Sequence, residues 1–208
     1  MYPLGVLKKK QLKILKLTFT GSIVNEASTA SNTVIYPDGT VSLAGNKLNL
    51  DGSAGCSVKI EQNVGSDWFN LQRDFDLKFD LVITSDTQIG EVLAFIDTTN
   101  TSTFKLLYEG VSYGFSELRL WRGGTPLQTF SLVPGYGVVP KNTVLNCVLE
   151  YRKTSAKLYT NNVLAIDAPA LTQPSNITRD FWLGGYGVED TCLGSLDNVE
   201  MTLLLSEY

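Results

Sequence analysis

The 208-residue chain contains no histidine. Ser-His-Asp and Cys-His nucleophilic arrangements are therefore excluded, and a typical zinc site loses its usual nitrogen ligands. Cysteine is scarce: Cys56, Cys147 and Cys192 cannot all pair within one chain, and none stands in a metal-type Cys-x-x-Cys spacing. Reduced thiols are the simplest reading, with Cys147, in an apolar run, as a small buried hydrophobe. A Cys56–Cys192 disulfide stays open if the mature protein meets an oxidising compartment. The first residues lack an apolar run followed by a small-residue cleavage site, so no secretory signal is expected. The Lys8–Lys16 stretch is too interrupted to span a bilayer. Charged residues make up only 18% of the chain, and long helices are not expected.

What is present fits one compact β domain. Hydrophobic residues reach 43% and aromatics 10%, enough for a core, and 18 Gly with 7 Pro point to many turns. The net charge of −4 hides an asymmetry. Lys8, Lys9, Lys10, Lys13 and Lys16 precede the first acid, Glu26, leaving about −9 downstream. Residues 1–11 read as a basic arm and 12–208 as the domain. Such an arm either docks on an acidic partner, nucleic acid or a neighbouring subunit, or is a solvated strand edge whose lysines discourage stray pairing. Nucleic acid is not expected as a partner of the body, which is acidic and lacks basic clusters interleaved with aromatics.

Period-two alternation broken by turn residues runs along the whole chain, the pattern of antiparallel strands in a sandwich or barrel. Its clearest example is Phe75, Leu77, Phe79, Leu81 and Ile83, alternating with polar Asp74, Asp76, Lys78 and Asp80, whose acids are expected on a solvated face. Further strands are expected at Thr33–Tyr36, Val92–Ile96, Phe104–Tyr108, Glu117–Trp121, Val144–Tyr151, Lys157–Tyr159, Val163–Ile166, Phe181–Leu183 and Leu196–Leu203. Pro37-Asp38-Gly39 reads as a turn. Leu48 and Leu50 lead through "DGSAG" to Val58 and Ile60, read as a hairpin. About a dozen strands and no convincing helix result.

Three segments, in order, resemble the laminin-G-like branch of the concanavalin A-like lectin and glucanase superfamily. They are "GNKLNLDGSAGCSVKI" as an early hairpin, "TVLNCVLEYRKTSAKLYTNNVLA" as a central group, and "FWLGGYGVEDTCLGSLDNVEMT" as a closing hairpin. The resemblance implies an all-β, two-sheet antiparallel jelly-roll sandwich. Where that family often has a Trp-His-His-like entry to its central strand, this chain has Val144, Leu145 and Asn146. The superfamily's glucanases set catalytic acids as Glu-x-Asp-x-x-Glu, a spacing found in neither "FSELRLW" nor "SLDNVEM". A non-enzyme is therefore expected.

No cofactor is expected, with calcium left open because the resemblance implies that relatives often hold it on loop carboxylates. The matching acids, Asp51, Asp97, Glu189, Asp190 and Asp197, lack the spacing of a dedicated calcium loop and read first as turn-forming or surface groups. Sugar binding would use aromatic faces with nearby amides and carboxylates. Its candidates are Trp68, Tyr113, Trp121, Tyr136 and Tyr186, with Tyr136 held out from the sheet by "LVPGYGVVP". Asn100-Thr101-Ser102 and Asn176-Ile177-Thr178 match glycosylation acceptors. The leading functional expectation is a non-enzymatic recognition or assembly module on the exterior of a virus or phage particle. Its partners would be other structural proteins or copies of itself, met through the arm. The alternative is a microbial carbohydrate-binding lectin module with glycan partners, and after it a glycoside hydrolase. The expected location is the virion surface, or the cell exterior if a leader has been removed.

Overall fold

The computed structural model describes residues 10–29, 33–38, 41–63, 69–85, 89–97, 102–110, 117–123, 127–172, 178–185 and 193–205. Sixteen strands lie among these residues. They are β1 (Lys10–Thr18), β2 (Val24–Asn25), β3 (Thr33–Asp38), β4 (Ser42–Ala44), β5 (Lys47–Asp51), β6 (Ser57–Gln62), β7 (Phe75–Ile83) and β8 (Ile89–Asp97), followed by β9 (Ser102–Glu109), β10 (Glu117–Arg122), β11 (Gln128–Phe130), β12 (Leu145–Arg152), β13 (Ser155–Thr160), β14 (Val163–Ala168), β15 (Thr178–Gly184) and β16 (Leu193–Leu205). No helix long and apolar enough to cross a membrane occurs among the described residues.

The strands form two antiparallel sheets packed face to face, an all-β sandwich of the kind the alternation predicts and of the jelly-roll form the resemblance implies. One sheet has nine strands, ordered β14-β13-β12-β7-β16-β1-β2, with β5 also pairing β16 and β4 pairing β5. The other has seven, ordered β11-β10-β9-β8-β15-β6-β3. In β7 the residues Phe75, Leu77, Phe79, Leu81 and Ile83 are all buried, because successive side chains point to opposite faces. They meet Val92, Leu93 and Phe95 of β8, Phe104 and Leu106 of β9, and Phe181 and Leu183 of β15 in one core. Aromatic rings join the sheets at its centre. Phe75 stacks on Tyr151 with centroids 4.8 Å apart and lies 5.3 Å from Phe95, which itself sits 4.9 Å from Phe181. Each such pair adds about 0.5–1.5 kcal/mol to the burial of its rings.

The central group forms as expected: β12, β13 and β14 pair in succession. Asn161 and Asn162 both take positive φ between β13 and β14, the geometry of a tight hairpin turn. The other two segments differ from expectation. Strand β5 pairs β16 and β4, whereas β6 pairs β15 and β3, so "DGSAG" crosses from one sheet to the other and makes no hairpin. Gly52 and Gly55, at φ of 80° and 78°, turn the chain over there. In the same way β15 and β16 lie in different sheets, so Phe181–Met201 spans the sandwich. Alternation fixes which way a side chain faces, and that is the same whether two strands meet edge to edge or face to face.

Three smaller differences have local causes. Pro37 and Asp38 continue β3 rather than turning, because β3 is the edge of its sheet and a residue without an N–H fits there. Asp76 and Asp80 are engaged rather than simply solvated. Asp76 receives Arg152 Nη2 at 2.7 Å, and Asp80 accepts the amides of Asn146 at 2.7 Å and Asn198 at 2.6 Å. From the basic segment, β1 begins at Lys10, Lys13 pairs with Glu200 at 2.8 Å and Lys16 with Glu26 at 2.9 Å. Residues 1–9 and Cys192 lie outside the described residues.

Candidate functional site

Alternation leaves each strand of the seven-stranded sheet with one face turned away from the core, and pairing aligns those faces across the sheet. One outward residue from each strand falls into a single row: Thr129, Trp121, Lys105, Ala94, Trp182, Lys59 and Tyr36. Aromatics and lysines alternate along it around a small central residue. With strands about 4.8 Å apart, Trp121 and Tyr36 stand about 24 Å from each other, the span of several sugar rings.

The lysines lie against the rings. Lys105 Nζ is 5.4 Å from the Trp121 centroid, and Lys59 Nζ is 5.8 Å from both the Tyr36 and Trp182 centroids, within the range of cation–π attraction. Carboxylates hold the same ammonium groups. Lys105 pairs with Glu91 where both side chains are buried, and Lys59 pairs with Glu61 and, at 3.5 Å, with Asp180. Burial works against the Lys59 ammonium, but Glu61 and Asp180 outweigh it and hold its pKa above the ordinary lysine value. Next to the row, Arg119 bridges two acids on neighbouring strands, reaching Glu109 at 3.0 Å and Glu117 at 2.5 Å. Without that arginine, Glu109 and Glu117 would be like charges directly opposite one another.

Exposure varies along the row. Ala94, Ile96 and Trp182 form an apolar cluster apart from the main core, and Trp182 is only 7% exposed. Tyr36, on the edge strand, is 46% exposed. Ring surface is thus offered at the flanks, while the centre is closed.

Away from the row, a concavity of about 340 Å³ lies beside β3 and β4. Ile23, Ile35, Pro37, Val41 and Leu43 line it together with Gly21 and Ser22. It has room for an apolar group but carries no charge.

Of the two expected residues that the structure describes, Trp121 lies in the row and Tyr136 does not. Tyr136 does not project: it packs on the core and its hydroxyl is hydrogen-bonded to Thr160. The Pro and Gly residues around it let the loop fold back onto β13 instead of standing away. Trp68, Tyr113 and Tyr186 lie outside the described residues, as do Glu189 and Asp190. Asp51 takes the hydrogen bonds of a turn, from Ser53 N at 2.9 Å and Ser53 Oγ at 2.6 Å, and Asp197 accepts from Asn198 N at 2.8 Å. Among the described residues no three of His, Cys, Asp and Glu gather in a metal-holding group.

Tyr36, Lys59, Glu91, Lys105 and Trp182 escaped the sequence reading. One signal was there to be found: each is a bulky or charged residue in the outward phase of its strand. Which outward residues share a row depends on register, and only the fold supplies it.

No family model matches the chain, and no curated protein matches it in sequence. In structure it is similar to the binding domain of botulinum neurotoxin serotype G, with a TM-score of 0.67 and 12% identity, covering 94% of this chain and 48% of that one. It is also similar to a botulinum neurotoxin type C structure whose cell entry depends on two ganglioside molecules, with a TM-score of 0.66 and 14% identity, covering 95% and 49%. A third is domain 4 of AbnA, a GH43 extracellular arabinanase from Geobacillus stearothermophilus, in complex with arabinotriose, with a TM-score of 0.65 and 12% identity, covering 96% of both chains. The chain spans about half the length of the neurotoxin chains. At these identities what is shared is the β-sandwich fold.

Proposed function

We propose that the chain is a non-enzymatic glycan-recognition module of the laminin-G-like, concanavalin A-like type, with its ligand along the outward face of the seven-stranded sheet. The observation that carries this is the in-register row from Tyr36 to Trp121, which sets partly exposed aromatic rings at two flanks about 24 Å apart, each with lysine and carboxylate groups beside it. Sugar recognition combines those two elements, ring stacking on the apolar face of a pyranose or furanose and polar groups on its hydroxyls. The arabinotriose held by the AbnA domain supports the reading.

Hydrolysis is disfavoured by the same geometry. A glycosidase needs a facing carboxylate pair with one member protonated, whereas Glu61, Glu91, Glu109, Glu117 and Asp180 are each engaged by a cation. The virion-exterior expectation draws on the arm, and residues 1–9 lie outside the described residues.

A glycan array probed with the whole chain, with and without calcium, tests the proposal. Trp121→Ala and Tyr36→Ala are each expected to weaken any retained glycan about five- to thirtyfold, the loss typical of a truncated aromatic anchor. An array without binders, or two variants that keep their thermal midpoints and bind as the parent does, would overturn it.

A further inference from the structure

We infer that the glycan this face accepts is uncharged; the inference rests on the glycan reading above and specifies its ligand class. Among the side chains the structure describes, the outward positions of the seven-stranded sheet carry three that are basic, Lys59, Lys105 and Arg119. Six acids share those positions: Asp38, Glu61, Glu91, Glu109, Glu117 and Asp180. The local balance is −3.

Position matters more than the count. Recognition of a sialic acid carboxylate or a sulfate ester needs a cation with open donors, best an arginine fork. Arg119 already directs Nη1 to Glu109 at 3.0 Å and Nε to Glu117 at 2.5 Å. Lys59 lies between Glu61 and Asp180, and Lys105 is held by Glu91. An incoming anion would have to displace an internal carboxylate while facing the others. A neutral sugar meets the opposite situation. Its hydroxyls donate hydrogen bonds, and an ionised carboxylate that accepts one ion-pair contact has further lone pairs to offer. The aromatic rings remain indifferent to charge on a distant substituent, so the acids set the preference.

The test uses the whole chain on immobilised glycans in matched sets: neutral oligosaccharides, arabinotriose among them, beside sialylated and sulfated counterparts of the same cores. At about 0.01 M salt, neutral members are expected to bind at least about tenfold tighter than their acidic partners. The gap should shrink as salt rises to about 0.15 M and the screening length falls from about 30 to 8 Å. A Glu61→Gln, Glu117→Gln double variant with an unchanged thermal midpoint should narrow the low-salt gap by at least about threefold. Should acidic glycans bind as tightly as neutral ones or tighter, the inference fails and the glycan reading stands. Should no member bind, both fail.

Discussion

Replacing Gly194 by alanine places a methyl group inside the neighbouring strand. An ideal Cβ at this position lies 1.9 Å from the carbonyl oxygen of Val82 and 3.0 Å from its carbonyl carbon. Both are backbone atoms of β7, so rotamer adjustment gives no relief. An unstrained carbon–oxygen contact needs about 3.3–3.6 Å, so β16 must retreat from β7 by about 1.5 Å. That distance breaks the ladder where Gly194, Ser195 and Leu196 pair with Ile83, Val82 and Leu81. Two or three hydrogen bonds at about 0.5–1.5 kcal/mol each, with about 1–3 kcal/mol for overpacking, give a loss of about 2–7 kcal/mol. For a chain of this size the thermal midpoint should fall by about 4–28 °C. Gly137→Ala is the control. Gly137 has φ of 86°, but a methyl group added there would meet nothing within 4 Å, so only the left-handed backbone penalty of about 1–2 kcal/mol applies. Calorimetry and urea unfolding followed by far-ultraviolet circular dichroism measure both variants. If Gly194→Ala loses no more stability than Gly137→Ala, the close approach of β16 to β7 is not what the geometry implies.

Two further outcomes follow from buried polar groups. Asn25 accepts from Lys16 N at 3.0 Å and Ala27 N at 3.1 Å, and donates to Ile14 O and Thr33 Oγ1, both at 3.0 Å, tying β1 of one sheet to β3 of the other. Asn25→Ala should therefore cost about 2–4 kcal/mol in urea unfolding, since it strands several buried partners at once. Burial pushes both the Cys147 thiol and the Tyr151 hydroxyl well up, with Arg122 only partly opposing the shift at Tyr151. For an acid whose folded pKa is raised, the unfolded chain ionises first. Stability should hold up to about pH 8.5 and then fall by about 1.4 kcal/mol per pH unit from Cys147, with Tyr151 adding its own loss above about pH 10. Urea midpoints measured from pH 7 to 11 check this, and Cys147→Ala should remove the earlier component. At pH 8 a thiol reagent should leave Cys147 unlabelled until the chain unfolds.

The parts of the fold written in alternation were legible in the residues alone. Phe75 to Ile83 announces a one-faced strand, and the Asn161-Asn162 turn announces a hairpin. The sheet to which a strand belongs was not legible, as β5, β6, β15 and β16 show, because inward-facing residues look alike in either sheet. Edge strands also misled, for Pro37 resembles a turn residue wherever the neighbouring strand is unknown. At the site, Trp121 was found as an aromatic beside a turn. Trp182 passed unnoticed because it follows Phe181 directly, one ring turned to the core and the other away. Glu91 and Lys105 resembled ordinary surface charges, and only the pairing of β8 with β9 brings them together.

The pairing of β1 with β16 has a consequence for how the chain comes into being. Lys13 and Glu200, whose side chains form an ion pair across that ladder, are 187 positions apart, which at about 5–20 residues per second leaves β1 waiting roughly 10–40 s on the ribosome before its mate is made. Throughout that interval the hydrophobic face formed by Leu15 and Leu17 has no ladder on its β16 side. Lys10, Lys13 and Lys16, solvent-exposed in the finished sheet, surround that segment with positive charge, a known deterrent to pairing with the wrong strand. Part of their service is thus rendered to the nascent polypeptide, well before any ligand is met.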